Sequence, residues 1–166
     1  MEQLKEQIKR SIGSVPVIEK SNCLAEIQVS YRTKVKPSDM PRITTSKDAY
    51  EQFKKVWSQD MEWREEFMML CLNRANKVLG WIRISQGGVS GTVVDPKLIF
   101  QVALNANASA IMLAHNHPSA NLKPSDADIR LTKQVKQAGL VLEIAVLDHI
   151  ILTAEGYYSF ADEGML

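Results

Sequence analysis

The chain has 166 residues, 45% of them apolar and 23% charged. That is enough hydrophobic content for one compact core, and it excludes a disordered chain. With 20 basic side chains against 19 acidic ones the net charge is +1, so the chain as a whole carries no electrostatic footprint of a nucleic-acid binder.

The first 20 residues hold a short amphipathic stretch, with Leu4, Ile8 and Ile12 spaced by four, that predicts a weak helix ended by Gly13 and Pro16. Glu26 to Lys36 alternates Ile27, Val29, Tyr31, Thr33 and Val35 with polar residues, the period of a half-buried strand, before Pro37 and Pro41 interrupt it. Ser46 is the expected cap of a helix to about Ser58, in which Tyr50, Phe53 and Trp57 share a face. From Glu65 an apolar run to Leu72, the polar turn 73–76 and a second run from Val78 to Ile84 predict an antiparallel hairpin. The glycines at 87, 88 and 91 lack the spacing and the lysine of a phosphate cradle and support only a turn. Asp95 caps and Pro96 opens a helix whose Ile99, Val102, Ala103 and Ala106 face one way. A strand over 110–114 follows, then a helix marked by Leu131, Val135 and Ala138 and stopped at Gly139, then two strands, Leu140–Leu147 and Ile150–Thr153. Strands and helices mixed at these lengths predict a small α/β domain. Residues 1–43 read as a short extension and 44–166 as the domain proper.

Two cysteines, Cys23 and Cys71, are too few for a disulfide framework, and a reducing cytoplasm fits them best. No apolar stretch follows a basic start at the amino terminus, so no secretory signal is expected, and no run is suited to spanning a bilayer. The basic residues between Arg32 and Lys55 are diluted by Asp39, Asp48 and Glu51 and read as a solvated face.

Chemistry concentrates in the segment from His115 to Asp128, which holds two of the three histidines. At the carboxyl end of a strand His115 and His117 project from one face, so both imidazoles can reach one metal ion. Asp128, in the first turn of the next helix, can swing back and complete a His, His, Asp set. Three protein ligands leave a fourth tetrahedral position for water, the arrangement of a catalytic zinc site. Such a water still needs a base. Glu65 and Glu66 open the first core strand, and parity leaves open which of them faces the metal.

The run H-x-H, seven residues, S-x-x-D, with an upstream glutamate, resembles the JAMM motif of the JAB/MPN-type metalloproteases. Together with Pro118-Ser119, Pro124-Ser125 and Asp148-His149, it resembles more narrowly the carboxyl-terminal domain of RadC-like proteins, over about Thr44 to Leu166. The resemblance implies a three-layer α-β-α mixed sheet related to the cytidine deaminase architecture and a zinc ion on His115, His117 and Asp128. It further implies Glu65 as the base, standing two residues before Phe67, and Ser125 as the side chain that steadies the oxyanion. Those enzymes cut peptide or isopeptide bonds, so a protein or peptide substrate is expected; a homo-oligomer is compatible with this reading, and a membrane is not expected.

Longer RadC-like proteins carry a leading helix-hairpin-helix region suited to DNA, and residues 1–43 hold no glycine hairpin that would support one. The alternative function is a DNA repair or recombination module that binds or processes DNA. Ser125-x-x-Asp128 also has the form of a helix capping box, a reading compatible with metal ligation. For Asp148-His149 a buried, hydrogen-bonded structural pair is expected, with support of the metal site as the alternative.

Overall fold

The computed structural model of the protein describes residues 28–33, 35–57, 61–87 and 93–166. Among them, three helices, α1 (Ser46–Val56), α2 (Pro96–Asn105) and α3 (Asp126–Val141), surround a five-stranded sheet. Its strands are β1 (Glu66–Leu72), β2 (Val78–Gln86), β3 (Ala110–Asn116), β4 (Ala145–Leu152) and β5 (Tyr157–Ser159), in the spatial order β2-β1-β3-β4-β5. Only β3 and β4 pair in parallel, joined across α3. The central strands β1 and β3 are buried at every position, which is why they read as continuous apolar runs. Side chains of β1 therefore divide by parity. Phe67, Met69 and Cys71 join a core with Ile99, Phe100 and Ala103 of α2 and Val135 of α3. Met68, Leu70 and Leu72 join the opposite core with Ala49, Tyr50 and Phe53 of α1. The result is three layers, helix on sheet on helices.

Local chemistry sets most element ends as expected. The Asp95 side chain accepts from the Lys97 backbone amide and Pro96 opens α2, where its missing N–H costs nothing. For α1 the cap is Thr45 rather than Ser46: Thr45 and Asp48 exchange side-chain-to-backbone bonds, while the Ser46 hydroxyl donates to Asp162. The basic side chains described between Arg32 and Lys55 are exposed.

Three expectations need correction. Residues 28–33, 35 and 36, described from the candidate strand over Glu26–Lys36, form no strand. Val29 and Val35 are 66% and 49% exposed, no described residue buries them, and the segment docks through Tyr31, whose hydroxyl donates to the Leu79 carbonyl. Gly139 lies inside α3 rather than after it. Its role is close approach, since a Cβ there would sit 2.5 Å from the Ile144 carbonyl oxygen. Residues 140 and 141 accordingly finish the helix, with Leu140 and Val141 73% and 84% exposed. Finally, β4 is one strand that continues through Asp148-His149, because both polar residues are buried and hydrogen-bonded within it. The candidate helix around Leu4 to Ile12 falls outside the described residues.

Candidate metal centre

The sheet brings the carboxyl end of β3 beside the start of α3. His115 is the last residue but one of the strand, and just past the strand end the His117 backbone amide donates to the Leu152 carbonyl at 2.9 Å. The rings meet with their Nε2 atoms 2.9 Å apart. Asp128 is the third residue of α3, and its carboxylate reaches back: Oδ1 lies 3.4 Å from His115 Nε2 and Oδ2 lies 3.7 Å from His117 Nε2. One ligand atom from each of the three residues falls within 4.8 Å of the others. Ser125 caps the same helix. Its backbone amide and hydroxyl both donate to Asp128 Oδ2, at 2.7 and 2.6 Å, and its oxygen accepts from the Asp128 amide. The capping box thus aims the carboxylate.

The donor set fits a cation. His117 Nδ1 faces the carbonyl oxygen of Asn121, which can only accept, so that nitrogen carries the ring proton. A neutral His117 then presents a bare Nε2 toward His115 and Asp128. Imidazole nitrogens and a carboxylate converging on one point repel unless a proton or a metal ion lies between them. The charge balance agrees. The hydrogen bond with Asp128 raises the His117 pKa against the opposing effect of burial, helped by the Asn121 carbonyl and the charges of Asp128 and Glu65. Burial raises the Asp128 carboxyl, but bonds from His115 and His117, the charge of His115 and the Ser125 hydroxyl outweigh it and hold the group well below the ordinary carboxylate range.

The two glutamates separate by face. Phe67 sits opposite His115 in the β1–β3 register and stacks on its ring, with centroids 6.1 Å apart. Glu65, of the same parity, belongs to that side and is only partly buried. Glu66 is fully buried, of the opposite parity, and ion-paired to Arg83 at 3.3 Å. The backbone that carries Glu65 is held twice. Gly87 donates its amide to the Glu65 carbonyl, and Asn116 accepts from the Glu66 amide at 2.7 Å while donating to the carbonyls of Met61 and Arg64. Sequence reasoning gave Asn116 no role. Its signal is its place between two candidate ligands, where strand alternation sends it to the other face.

Behind the cluster lies a fully buried histidine. His149 Nε2 is 2.8 Å from His115 Nδ1, and its Nδ1 is 2.6 Å from the Thr132 hydroxyl. Burial pushes its pKa well below the usual value, with the charge of His115 acting the same way, so the ring is neutral. The Asp148-His149 pair is buried as expected, but its members face opposite ways. Asp148 accepts from the Ser159 hydroxyl and from the amides of His149 and Ala161, while His149 turns to the candidate ligands.

A three-layer α/β domain with a His, His, Asp cluster at a strand end is the architecture of a JAB-type domain. The sequence model of the RadC-like JAB domain matches residues 43–165, and the chain belongs to that family. Its curated relatives include a UPF0758 protein of Flavobacterium johnsoniae, 44% identical over 76% of this chain and 54% of the relative. A UPF0758 protein of Porphyromonas gingivalis is 41% identical over 86% of this chain and 63% of the relative. The UPF0758 protein YfjY of Escherichia coli is 41% identical over 74% of this chain and 76% of the relative. The chain therefore spans little more than half the length of the first two.

Proposed function

We propose that this chain is a zinc-dependent hydrolase of the JAMM type that cleaves peptide or isopeptide bonds in a protein or peptide substrate, with residues 44–166 as the working unit, residues 1–43 as an extension, and the cytoplasm as its compartment. The observation that carries the reading is the convergence of His115, His117 and Asp128 on one point, at the rim of the sheet face that also holds Glu65. Bound there, zinc would supply Lewis acidity toward a carbonyl oxygen and lower the pKa of a water to roughly 7.

The chain's own residues do the rest. Asp128 and the two histidines are aimed before any ligand arrives, by the capping box and by the strand. Glu65 accepts the proton of the attacking water on its carboxylate and hands it to the leaving amine, so that one side chain serves as base and then as acid. Its backbone is tied through Gly87 and Asn116 while the residue itself is only partly buried, which suits a carboxylate that has to meet water. Ser125 steadies the oxyanion of the tetrahedral intermediate in this reading, and its exposed position at the helix start leaves it open to substrate. With its hydroxyl proton on Asp128 Oδ2, it has to rotate to do so.

Glu65→Gln tests the reading most sharply. Turnover of a peptide or isopeptide substrate should fall by about 10²–10⁴-fold, the usual worth of a general base, while one zinc per chain is retained. Parental turnover in that variant, or cleavage of DNA but no amide bond by the zinc-loaded protein, would overturn it.

A further inference from the structure

The mechanism above leaves Thr132 and His149 unused, although both are buried and both touch the candidate ligands. Thr132 is four residues after Asp128 on α3, and its hydroxyl donates to the Asp128 carbonyl at 2.6 Å. A hydroxyl has one proton, so toward His149 Nδ1 the same oxygen can only accept. His149 Nδ1 therefore carries a hydrogen. The ring is fully enclosed, and its two nitrogens meet the Thr132 hydroxyl and His115 rather than a carboxylate, so a second ring proton would be a buried charge without a counter-ion; Nε2 is then a bare acceptor, and the bond of 2.8 Å to His115 Nδ1 requires His115 to be the donor. With its Nδ1 hydrogen committed to His149, His115 has only Nε2 to offer a metal, and that atom is the one aimed at His117 and Asp128.

We propose that Thr132 and His149 are positioning residues that fix the tautomer of His115, through one buried chain running from the carbonyl of Asp128 through the Thr132 hydroxyl and the His149 ring to His115 Nδ1. The inference rests on the metal reading above and deepens it: the strand ligand and the helix ligand are tied together from behind. Placement of His149 depends on an irregularity. Ile111 pairs with Val146 but Met112 pairs with Asp148, so Leu147 is an extra residue in β4. Val146 packs in the core of α2 and α3. Simple alternation would put His149 on the α1 face; the extra residue puts it opposite Leu113, on the face of His115, as expected of a bulge that re-aims a side chain. Two aromatic rings then hold it, Phe160 stacked at 4.9 Å and 12° and Phe67 tilted at 5.4 Å.

A residue that merely fills the core would not control a neighbour's proton. In Thr132→Val the His149 Nδ1–H loses its acceptor, so His149 should change to the Nε2–H form, and His115 should follow by placing its own proton on Nε2, where a metal would bind. Histidine tautomers are read from long-range ¹H–¹⁵N correlations on the full chain, and zinc affinity from competition with a chromophoric chelator. In the metal-free parent, Nδ1–H is expected for both His115 and His149. In Thr132→Val both tautomers should change, and zinc affinity should fall by about 10–100-fold, the usual effect of losing a partner behind a metal-bound histidine; one zinc per chain should still bind at saturation, and Thr132→Ser should restore both properties. An Nε2–H form of His149 in the parent would overturn the proposal whether or not the variant folds. So would parental zinc affinity and tautomers in Thr132→Val, a result that leaves the metal reading standing; a parent that takes up no zinc removes both.

Discussion

Burial makes the Cys71 thiol hard to ionise. It lies next to the end of β1, only 2% exposed, and desolvation pushes its pKa up to about 11 from 9.0. The unfolded chain gives up this proton near pH 9 while the folded chain keeps it to about pH 11, so between those values the unfolded state binds fewer protons and stability falls as pH rises. Urea midpoints measured from pH 8 to 11 should therefore drop more steeply for the parent than for Cys71→Ala, whose own deficit is constant with pH; parallel curves would contradict the burial of the thiol. Residue-scale chemistry was legible in the sequence wherever it rests on spacing, as for His115, His117 and Asp128. It was not legible where it rests on which face a side chain takes. Glu65 and Glu66 are adjacent and chemically alike, and only the pairing of Phe67 with His115 shows that Glu65 shares the parity of the His115 face while Glu66 turns to its buried pair with Arg83.

Elements were readable where a cap or an apolar period marks them and misread where tertiary contact overrides the local signal. Asp95-Pro96 joins a capping carboxylate to a proline suited to the first helical position, and the hairpin of β1 and β2 follows from two apolar runs around a polar turn. Gly139 looked like a stop because glycine is a poor helix former, yet it permits the helix to pass close to the chain entering β4. Alanine at this position would gain about 1 kcal/mol of helix propensity, but its Cβ would meet the Ile144 carbonyl oxygen at 2.5 Å and a Val146 methyl at 3.2 Å. Backbone cannot yield as the end of a flexible side chain can. Gly139→Ala should therefore be destabilised by about 1–3 kcal/mol in urea unfolding, and a variant more stable than the parent would show that the helix has no such contact. The apolar run at 140–142 misled for a related reason: it continues the helix and its hydrophobic side chains are largely exposed, so its composition is that of a strand and its environment is not.

At the scale of the whole molecule, the fold assembles groups that are distant in sequence. Glu65, His115, Asp128 and His149 come from β1's approach, β3, α3 and β4, and the order β2-β1-β3-β4-β5 sets β3 between β1 and β4, with His149 behind His115. The candidate ligands could be read from the sequence because a strand and the following helix lie within fourteen residues. The chain behind them could not. It requires the parallel pairing of β3 with β4 and the extra residue at Leu147, neither of which leaves a local pattern. The same two cores that bury β1 and β3 on both faces make those strands a rigid floor, the setting in which preorganised ligands hold their geometry. No helix among the described residues is long and apolar enough to cross a membrane.

The measurement that bears most directly on the metal reading is zinc per chain by elemental analysis, on parent protein purified without chelator and on His117→Ala beside it. His117 is partly exposed at the end of its strand, so its loss should leave the fold intact while removing one of three ligands. About one zinc per parent chain and clear loss in the variant is the expected result. A folded parent that holds no zinc and takes none up would contradict it.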